Sequence, residues 1–436
     1  MRREIEQNCV NLPIKPKVNS MKKNVICLLA LSLTLNGYAQ KKKKAAPAKP
    51  TTEQQIEKAQ TAITEYRFSE AVDLLEEVEA ALSKKKQSTA EVEDLLDKAE
   101  FGLRMLRGTD QIQVVDTFVV DKANFLQAYK LSEETGKLHY FANFFKSNGE
   151  GTLFQNELGN RVYFSKPAGE SQKIFASDLL AGNQWGEHQE LQGIGDDHTS
   201  EDYPFVTSDG STLYFASKGA DNGLGGYDIY VTRIGNASSR YLRPENLGMP
   251  YNSPYNDYMY VLDELHNLGW FASDRFQPEG KVCLYVFIPN ESRNPFDMDD
   301  DDEELIRHGA LLDQIKTTQT DADALAVAKR ELQAAIEYKP VEKKVKDFEL
   351  VIDDARIYTT YAEFKNANAK KLCQEWVQKY NELQLLEMQL EDNRLQYAGG
   401  NKQLAASIKQ QESRAETLYN EVRELEKKTR NAEVGK

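Results

Sequence analysis

A pattern of aromatic and small residues recurs three times in the middle of the chain. Each copy has an aromatic pair followed by a small residue, and a second apolar segment follows after a polar gap; the copies lie at 160–176, 208–231 and 267–287. The aligned phenylalanines are Phe164, Phe215 and Phe271, so the spacings are 51 and 56 residues. Short β-strands that repeat at about 40–50 residues are typical of β-propeller blades. The sequence therefore predicts a small β-propeller.

Each copy is long enough for four short strands, over roughly 151–193, 203–248 and 257–290. Asp209-Gly210 marks a tight turn in the second copy, because glycine adopts a positive φ without steric cost. Propellers typically have about four to eight blades. We therefore expect strands at 114–120 and 138–145, within 112–150, to supply at least one more blade. Otherwise the ring stays open, or another chain completes it.

The second copy carries the most specific motifs. These are Tyr-Pro-Phe, Ser-Asp-Gly, Leu-Tyr-Phe-Ala-Ser and Gly-Gly-Tyr-Asp-Ile-Tyr, at 203–205, 208–210, 213–217 and 225–230. Together they resemble the WD40-like repeats of TolB-type exported bacterial propellers, and 244–253 resembles the linker between such blades. The match is strongest over 203–290 and weaker over 151–202. The resemblance implies an exported protein of Gram-negative bacteria, where related propellers accompany envelope assemblies.

Helical segments flank the predicted propeller, which we place at 111–293. Residues 51–108 show helical periodicity in three segments, and 66–72 resembles the turn of a tetratricopeptide repeat. Because stacked repeats normally form the binding groove, this lone unit favours a helical cap over a peptide-binding array. After the propeller comes an acidic linker at 294–304. The C-terminal region, 305–436, is predicted to contain one helix over 305–338, a small β-hairpin near 348–361 and a coiled-coil-like helical hairpin over 366–431.

The N-terminal residues read as an export signal. Lys22 and Lys23 precede an apolar run over 25–35, and small residues follow up to Ala39. This is the pattern of a secretory signal peptide, so 1–39 is expected to be an upstream segment plus signal, with translation beginning at Met21. The protein is therefore expected to be exported and to be periplasmic or associated with the outer membrane.

Charge limits the classes of partner. The chain carries a formal net charge of −14, which argues against nucleic-acid binding because phosphates have the same sign. Residues 40–50 form a basic, proline-spaced tether, which either touches an anionic membrane surface or serves as a solvated spacer. Downstream of the signal, Cys283 and Cys373 are the two cysteines, too few for a disulfide framework.

Motifs for chemistry are weak. Catalytic and cofactor signatures such as Gly-x-Ser-x-Gly, the Walker loop and His-Glu-x-x-His are missing from the sequence. Ser165, Ser217 and Ser273 occupy the same register in three copies, and this recurrence favours a structural role, since a catalytic residue is needed once. We assign no catalytic residue, no cofactor and no metal site.

Two acidic clusters leave alternatives open. His198 lies near four acidic residues, Asp196, Asp197, Glu201 and Asp202. This cluster is either a site for a cation or for acid/base chemistry, or an ordinary acidic loop. We favour the ordinary acidic loop. The acidic linker either binds calcium or, as we favour, begins the following helix, where carboxylates interact favourably with the helix dipole.

Trp185 is the one candidate binding residue. It lies in a polar loop, 182–186, where it either stacks on a sugar or a peptide or packs against an outer strand, which we favour.

Three interaction-type modules without a catalytic constellation predict a non-enzymatic scaffold of the cell envelope. Its partners are expected to be other envelope proteins, and the helical hairpin offers a route to self-association. One alternative is a propeller that binds a glycan or small ligand. Another is a propeller hydrolase or lyase, which requires carboxylates that converge on one mouth of the ring.

Overall fold

The structure, a computed structural model, describes residues 50–180, 184–195, 198–219, 222–235, 240–297, 301–338, 346–353 and 355–435. The expected signal peptide and nearly all of the expected basic tether therefore lie outside the described residues. The chain divides into two compact units, Met1–Glu100 and Phe101–Lys436.

The first unit is helical. It contains α1 (Thr52–Thr64), α2 (Phe68–Lys84) and the first part of α3 (Ala90–Arg107). A capping box begins α1: the Thr51 hydroxyl accepts from the Gln54 backbone N–H, and the Gln54 side chain accepts from the Thr51 backbone N–H. Such reciprocal bonds satisfy amide groups that a helix start otherwise leaves unpaired.

Small residues allow the first two helices to approach closely. Ala59 and Ala62 of α1 and Ala71 of α2 are completely buried. Between the helices, Tyr66 adopts a positive φ of 59° and its ring lies 5.7 Å from that of Phe68. The aromatic and alanine pattern at 66–72 thus serves a tight helix–turn–helix.

The second unit contains the central sheets. Its strands in chain order are β1 (Gln113–Asp121), β2 (Lys137–Tyr140), β3 (Thr152–Gln155), β4 (Arg161–Ala168), β5 (Ser171–Leu180), β6 (Gln184–Trp185), β7 (Gln189–Glu190), β8 (Ser200–Val206), β9 (Thr212–Lys218), β10 (Asp228–Arg233), β11 (Glu245–Asn246), β12 (Asp257–Asp263), β13 (Leu268–Ser273) and β14 (Lys281–Ile288). A short helix, α4 (Phe141–Phe145), separates β2 from β3.

Hydrogen bonding arranges these strands as three antiparallel meanders. Meander 1 is β2-β3-β4-β5, with β6 and β7 paired to β5; meander 2 is β8-β9-β10-β11; meander 3 is β12-β13-β14-β1. A single parallel bridge, Gln172 to Ser200, joins meanders 1 and 2 into one ten-stranded sheet. Among the described strands, neither sheet closes on itself.

The expectation that residues 112–150 add a further blade is wrong for the described strands. Instead, β1 becomes the outer strand of meander 3 and β2 extends meander 1. The strand expected over 138–145 ends at Tyr140, where α4 begins. The reason is tertiary: Phe141 is buried against Phe164, with ring centroids 5.2 Å apart.

The repeated phenylalanines occupy equivalent places. Phe215 and Phe271 lie on the second strands of meanders 2 and 3, and Phe164 lies on the third strand of meander 1, in which β2 is an additional first strand. Each is at most 1% exposed and stacks on an aromatic residue directly across on the next strand. The pairs are Phe164–Phe175 at 6.1 Å, Phe215–Tyr230 at 5.8 Å and Phe271–Tyr285 at 4.9 Å between ring centroids. The sequence repeat therefore corresponds to a structural repeat of cross-strand aromatic pairs.

The connection between β1 and β2 packs against the first strands of meanders 2 and 3. The Phe125 ring lies 5.8 Å from Tyr203 and 5.9 Å from Tyr258. The Tyr129 hydroxyl donates to the carbonyl of Met259 at 2.7 Å. These side chains belong to one buried apolar core that draws on all three meanders.

Three short helices replace the single helix expected over 305–338: α5 (Glu303–Leu311), α6 (Ile315–Thr318) and α7 (Ala322–Glu337). That expectation is wrong because two local features interrupt the helix. Leu312 takes a left-handed conformation, φ 55°, and ends α5; the Asp321 carboxylate accepts from two backbone amides and begins α7. Apolar periodicity alone does not reveal such breaks.

The chain ends in a small hairpin and two long helices: β15 (Leu350–Asp353), β16 (Arg356–Tyr358), α8 (Ala367–Ala398) and α9 (Ala405–Val434). The hairpin packs against the ends of α8 and α9 that lie far from their connecting turn. The buried side chains of this cluster are Phe348, Leu350, Ile352, Tyr358, Cys373, Trp376, Val377, Leu383, Leu418 and Val422. The protein is thus mixed α and β, with an N-terminal helical region, central sheets and C-terminal helices, as predicted.

Candidate functional site

The recurrent serines are part of the meander interior. Ser165, Ser217 and Ser273 are all buried. The Ser165 hydroxyl donates to the Asp202 carboxylate, and the Ser273 hydroxyl accepts from the Arg275 side chain at 2.9 Å. In these two copies the hydroxyl holds neighbouring strands and turns together.

The acids near His198 are engaged in separate hydrogen-bond sets. Asp202 accepts from the backbone and the hydroxyl of Thr152 at 3.1 and 2.6 Å, which ties meander 2 to meander 1. Glu201 accepts from the Lys173 ammonium at 2.6 Å. Burial raises the pKa of Glu201, and the Lys173 ammonium opposes this rise.

His198 itself lies in the apolar interior. Its ring packs edge-on against Phe215 and Tyr230, with centroids 5.4 and 4.7 Å away. Asp196 and Asp197 lie outside the described residues. Within the described part, Glu201 and Asp202 serve contacts between meanders, which is the behaviour of structural acids.

The acidic linker and the two cysteines were the other candidates for metal binding or nucleophilic chemistry, and their contacts in the structure are those of structural residues. Asp302 caps α5 by accepting from the Glu304 backbone, while residues 298–300 of the acidic linker lie outside the described residues. Cys283 and Cys373 are buried and are not joined to each other in a disulfide, and burial raises the pKa of Cys373 to about 12. Over the described ranges, no group of three or more His, Cys, Asp or Glu is placed to hold a metal ion.

Trp185 lies in an aromatic cluster on meander 1. Its ring centroid is 5.4 Å from Phe144 and 6.5 Å from Phe145, and His188 packs 5.3 Å from Phe145. The side chain is half-buried, and its strand pairs with β5. Packing on the outer part of the meander therefore accounts for the contacts of Trp185.

The Gly-Gly-Tyr-Asp motif forms the junction between meanders 2 and 3. The Gly226 amide donates to the carbonyl of Tyr255 at 2.8 Å, and the Tyr227 amide donates to the Asn256 side chain at 3.1 Å. A Cβ atom on Gly225 would overlap the carbonyl oxygen of Tyr255. Glycine is required here because the two backbones approach too closely for any side chain.

A hydrogen-bonded polar group lies beside this junction. The Asp274 carboxylate accepts from the Asn256 backbone at 2.9 Å, the Asn256 side chain at 3.0 Å, the Tyr258 hydroxyl at 2.8 Å and the Lys122 ammonium at 3.3 Å. Burial, followed by the Asp274 carboxylate, raises the pKa of Tyr258, so this phenol remains a donor. We call Lys122, Asn256, Tyr258 and Asp274 the polar edge.

An aromatic pair adjoins the polar edge. Phe276 is 43% exposed and meets Tyr255 edge-to-face, with ring centroids 5.4 Å apart. Phe276 has a φ of 59°, a left-handed conformation that costs a non-glycine residue roughly 1–2 kcal/mol. Nothing in the repeat pattern marked Phe276; the available signal was a tight turn after Ser273 that contains no glycine.

The helical hairpin α8–α9 extends beyond its packed base. We call residues 386–415 the distal arm. Ion pairs join the helices along the hairpin at Arg394–Glu412, Arg414–Glu382 and Lys379–Glu421, and the six side chains are 37–49% exposed. Solvated pairs contribute little to stability; within the distal arm this applies to Arg394–Glu412, while Leu390 is a buried apolar side chain of the arm.

Comparisons with known proteins returned no match: no family model, no curated protein and no solved structure is similar to this chain. Among the helices that the structure describes, none is long and apolar enough to cross a membrane.

Proposed function

We propose that this chain is a non-enzymatic interaction protein of the cell envelope. In this proposal the three meanders are blades of a small β-propeller, and the α8–α9 hairpin is the element that contacts another protein. The observation that carries the proposal is the distal arm, which extends past the packed base and carries the half-exposed Arg394–Glu412 pair. A feature that adds little to its own fold is expected to contribute through a partner.

The propeller assignment is supported by repetition. All three meanders are antiparallel, and each carries the same stacked aromatic pair on consecutive strands; meander 1 has β2 as an additional first strand. In meander 3 the outer strand is β1, from the other end of the region, so pairing with β14 joins the two ends of the sheet region. Such pairing is how a circular array avoids leaving its terminal sheet incomplete.

The hydrogen-bond partners of the buried acidic residues support a non-enzymatic function. Glu201, Asp202 and Asp257 each bond to separate structural partners among the described residues. A hydrolase or lyase needs carboxylates that converge on one substrate, whereas these three each serve a different structural contact. The envelope location rests on the N-terminal sequence pattern, and cell fractionation with an antibody to the C-terminal helices tests it.

The test of the interaction is affinity purification of the full chain from intact envelopes. A shortened variant lacks 391–397 and 405–411, one heptad from each helix, so the seam between the helices keeps its register. We expect a partner protein to be recovered with the natural chain in a constant ratio and not to be recovered with the shortened variant. The two proteins should have the same melting temperature. Recovery of both proteins alone and monomeric would contradict the proposal.

A further inference from the structure

The turn after β13 places an aromatic ring where glycine is normally found. The Gln277 amide donates to the carbonyl of Asp274 at 3.0 Å, so 274–277 is a tight turn with Phe276 in its third position. At that position, with φ 59°, turns favour glycine or asparagine. Phenylalanine there is a true conformational outlier, since bulky residues seldom adopt positive φ.

The outlier is specific to one meander. The corresponding connections of all three meanders carry a glycine at positive φ, Gly169 at 67°, Gly219 at 73° and Gly280 at 80°, and the connection of meander 3 carries Phe276 in addition. A residue that the meander geometry demands recurs in every copy, as the buried serines and phenylalanines do. Phe276 does not recur, so the geometry of the meander does not explain it. Phe276 is one of eight described non-glycine residues with positive φ, and it combines this conformation with an exposed aromatic side chain; strained backbone of this kind clusters at functional sites.

The ring is presented together with a second aromatic side chain. Phe276 and Tyr255 meet at an interplanar angle of 64°, so one ring directs its edge at the face of the other. The two rings are in direct contact, with centroids 5.4 Å apart. Because 43% of Phe276 is exposed, part of its surface is available to a ligand.

Fixed polar groups lie next to the two aromatic residues along the chain. Asn256 directly follows Tyr255, and Asp274 lies two residues before Phe276. The Asn256 side chain donates to Asp274 at 3.0 Å, and the Lys122 ammonium lies 3.3 Å from the same carboxylate. Carboxylate, amide and ammonium groups supply both acceptors and donors for ligand hydroxyl groups.

We propose that Phe276 and Tyr255, together with Lys122, Asn256 and Asp274 of the polar edge, form a saccharide-binding site. A pyranose ring has an apolar C–H face and a rim of hydroxyl groups; the face packs on an aromatic ring, and the rim bonds to fixed carboxylate and amide groups. A protein contact is less well matched, because aromatic anchors of protein interfaces lie in desolvated centres from which charged groups are depleted. Here charged groups lie immediately beside the rings.

The test measures binding of defined oligosaccharides to the full chain. The probes are triacetylchitotriose, maltotriose and mannotriose, and the readouts are titration calorimetry and ligand-observed NMR. We expect at least one probe to bind the natural chain and Phe276→Gly to weaken that binding at least tenfold. Tyr419→Ala, which removes an exposed aromatic ring from α9, is the matched control and should leave the affinity unchanged.

Phe276→Gly also separates binding from folding. Glycine relieves the positive-φ strain, so we expect the melting temperature to stay equal or rise while saccharide binding is lost. A lower melting temperature with unchanged binding would overturn the proposal and assign the ring to packing. Failure of all three probes would overturn it as well, and loss of a co-purified protein on Phe276→Gly would then assign the ring to a protein contact. The arm-shortened variant should bind saccharide normally, which keeps this test independent of the proposed partner.

Discussion

Arg275 donates through Nη2 to Asp257 Oδ1 at 2.7 Å, and both side chains are completely buried. The same guanidinium bonds to the Ser273 hydroxyl and to the carbonyl of Tyr251, both at 2.9 Å. A buried ion pair of this kind requires its remaining donors to be satisfied. Because Arg275 directly precedes Phe276, one turn directs a cation into the core and an aromatic ring toward solvent.

Removing the buried cation should be severely destabilising. In Arg275→Met, Asp257 keeps a buried carboxyl without its partner, and we expect the free energy of unfolding to fall by about 3–5 kcal/mol. Chemical denaturation followed by tryptophan fluorescence measures this change. The double variant Arg275→Met/Asp257→Asn should regain part of the loss because no buried charge remains; a single variant as stable as the natural chain would contradict the role of the pair.

The Asp263 carboxylate should make stability depend on acid pH. Burial opposes its ionisation, but hydrogen bonds from His266 and Ser132 outweigh burial and lower its pKa. A lowered folded-state pKa gives stability that is present above the unfolded value of about 3.9 and is lost as pH falls through the folded value.

We therefore expect Asp263→Asn to be less stable at neutral pH and to show a shallower loss of stability below about pH 4. The measurement is a set of denaturation curves between pH 2 and 7. This interval includes the ordinary carboxyl pKa range of roughly 3.5–4.5. Asp121→Asn is the control, because this carboxylate forms a solvated pair with Lys281. Parallel pH profiles for the natural chain and Asp263→Asn would refute this assignment.

The Gly-Gly-Tyr-Asp junction should not tolerate a methyl group. Gly225→Ala places a Cβ against the backbone oxygen of Tyr255, which cannot move away as a side chain would. We expect a loss of at least about 1–3 kcal/mol, typical of overpacked sites, measured as a lower denaturation midpoint. Gly108→Ala is the matched control, since its added Cβ meets only ordinary contacts. Equal stability of the two variants would disprove the close approach.

Cys373 should be unreactive in the folded protein. Burial raises the pKa of its thiol to about 12, and the thiolate is the reactive form. The test is treatment with a maleimide at pH 8, near the ordinary thiol pKa of about 8.5, followed by peptide mass spectrometry. Cys373 should remain unmodified until denaturant is added. Rapid labelling under native conditions would show that the α8 core opens readily.

Local patterns were sufficient for much of the architecture. The three aromatic repeats lie on equivalent strands because alternation and spacing specify which face of a strand is buried. The long helices α8 and α9 follow their apolar heptads, and the Gly399-Gly400-Asn401 segment separates them as expected. The acidic residues at the start of α5 include its cap, Asp302, since capping depends on near neighbours.

Contacts between distant residues were decided only by the tertiary structure. The sequence determined the strand-forming segments. It did not determine the pairing of β1 with β14, which joins Asp121 to Lys281 across 160 residues of the chain. The tertiary structure likewise decided that Arg275 pairs with Asp257 in the interior and that Phe276 is exposed. A segment's own composition limits which faces it must bury, whereas the edge or cavity that receives it depends on which surfaces the rest of the chain leaves uncovered.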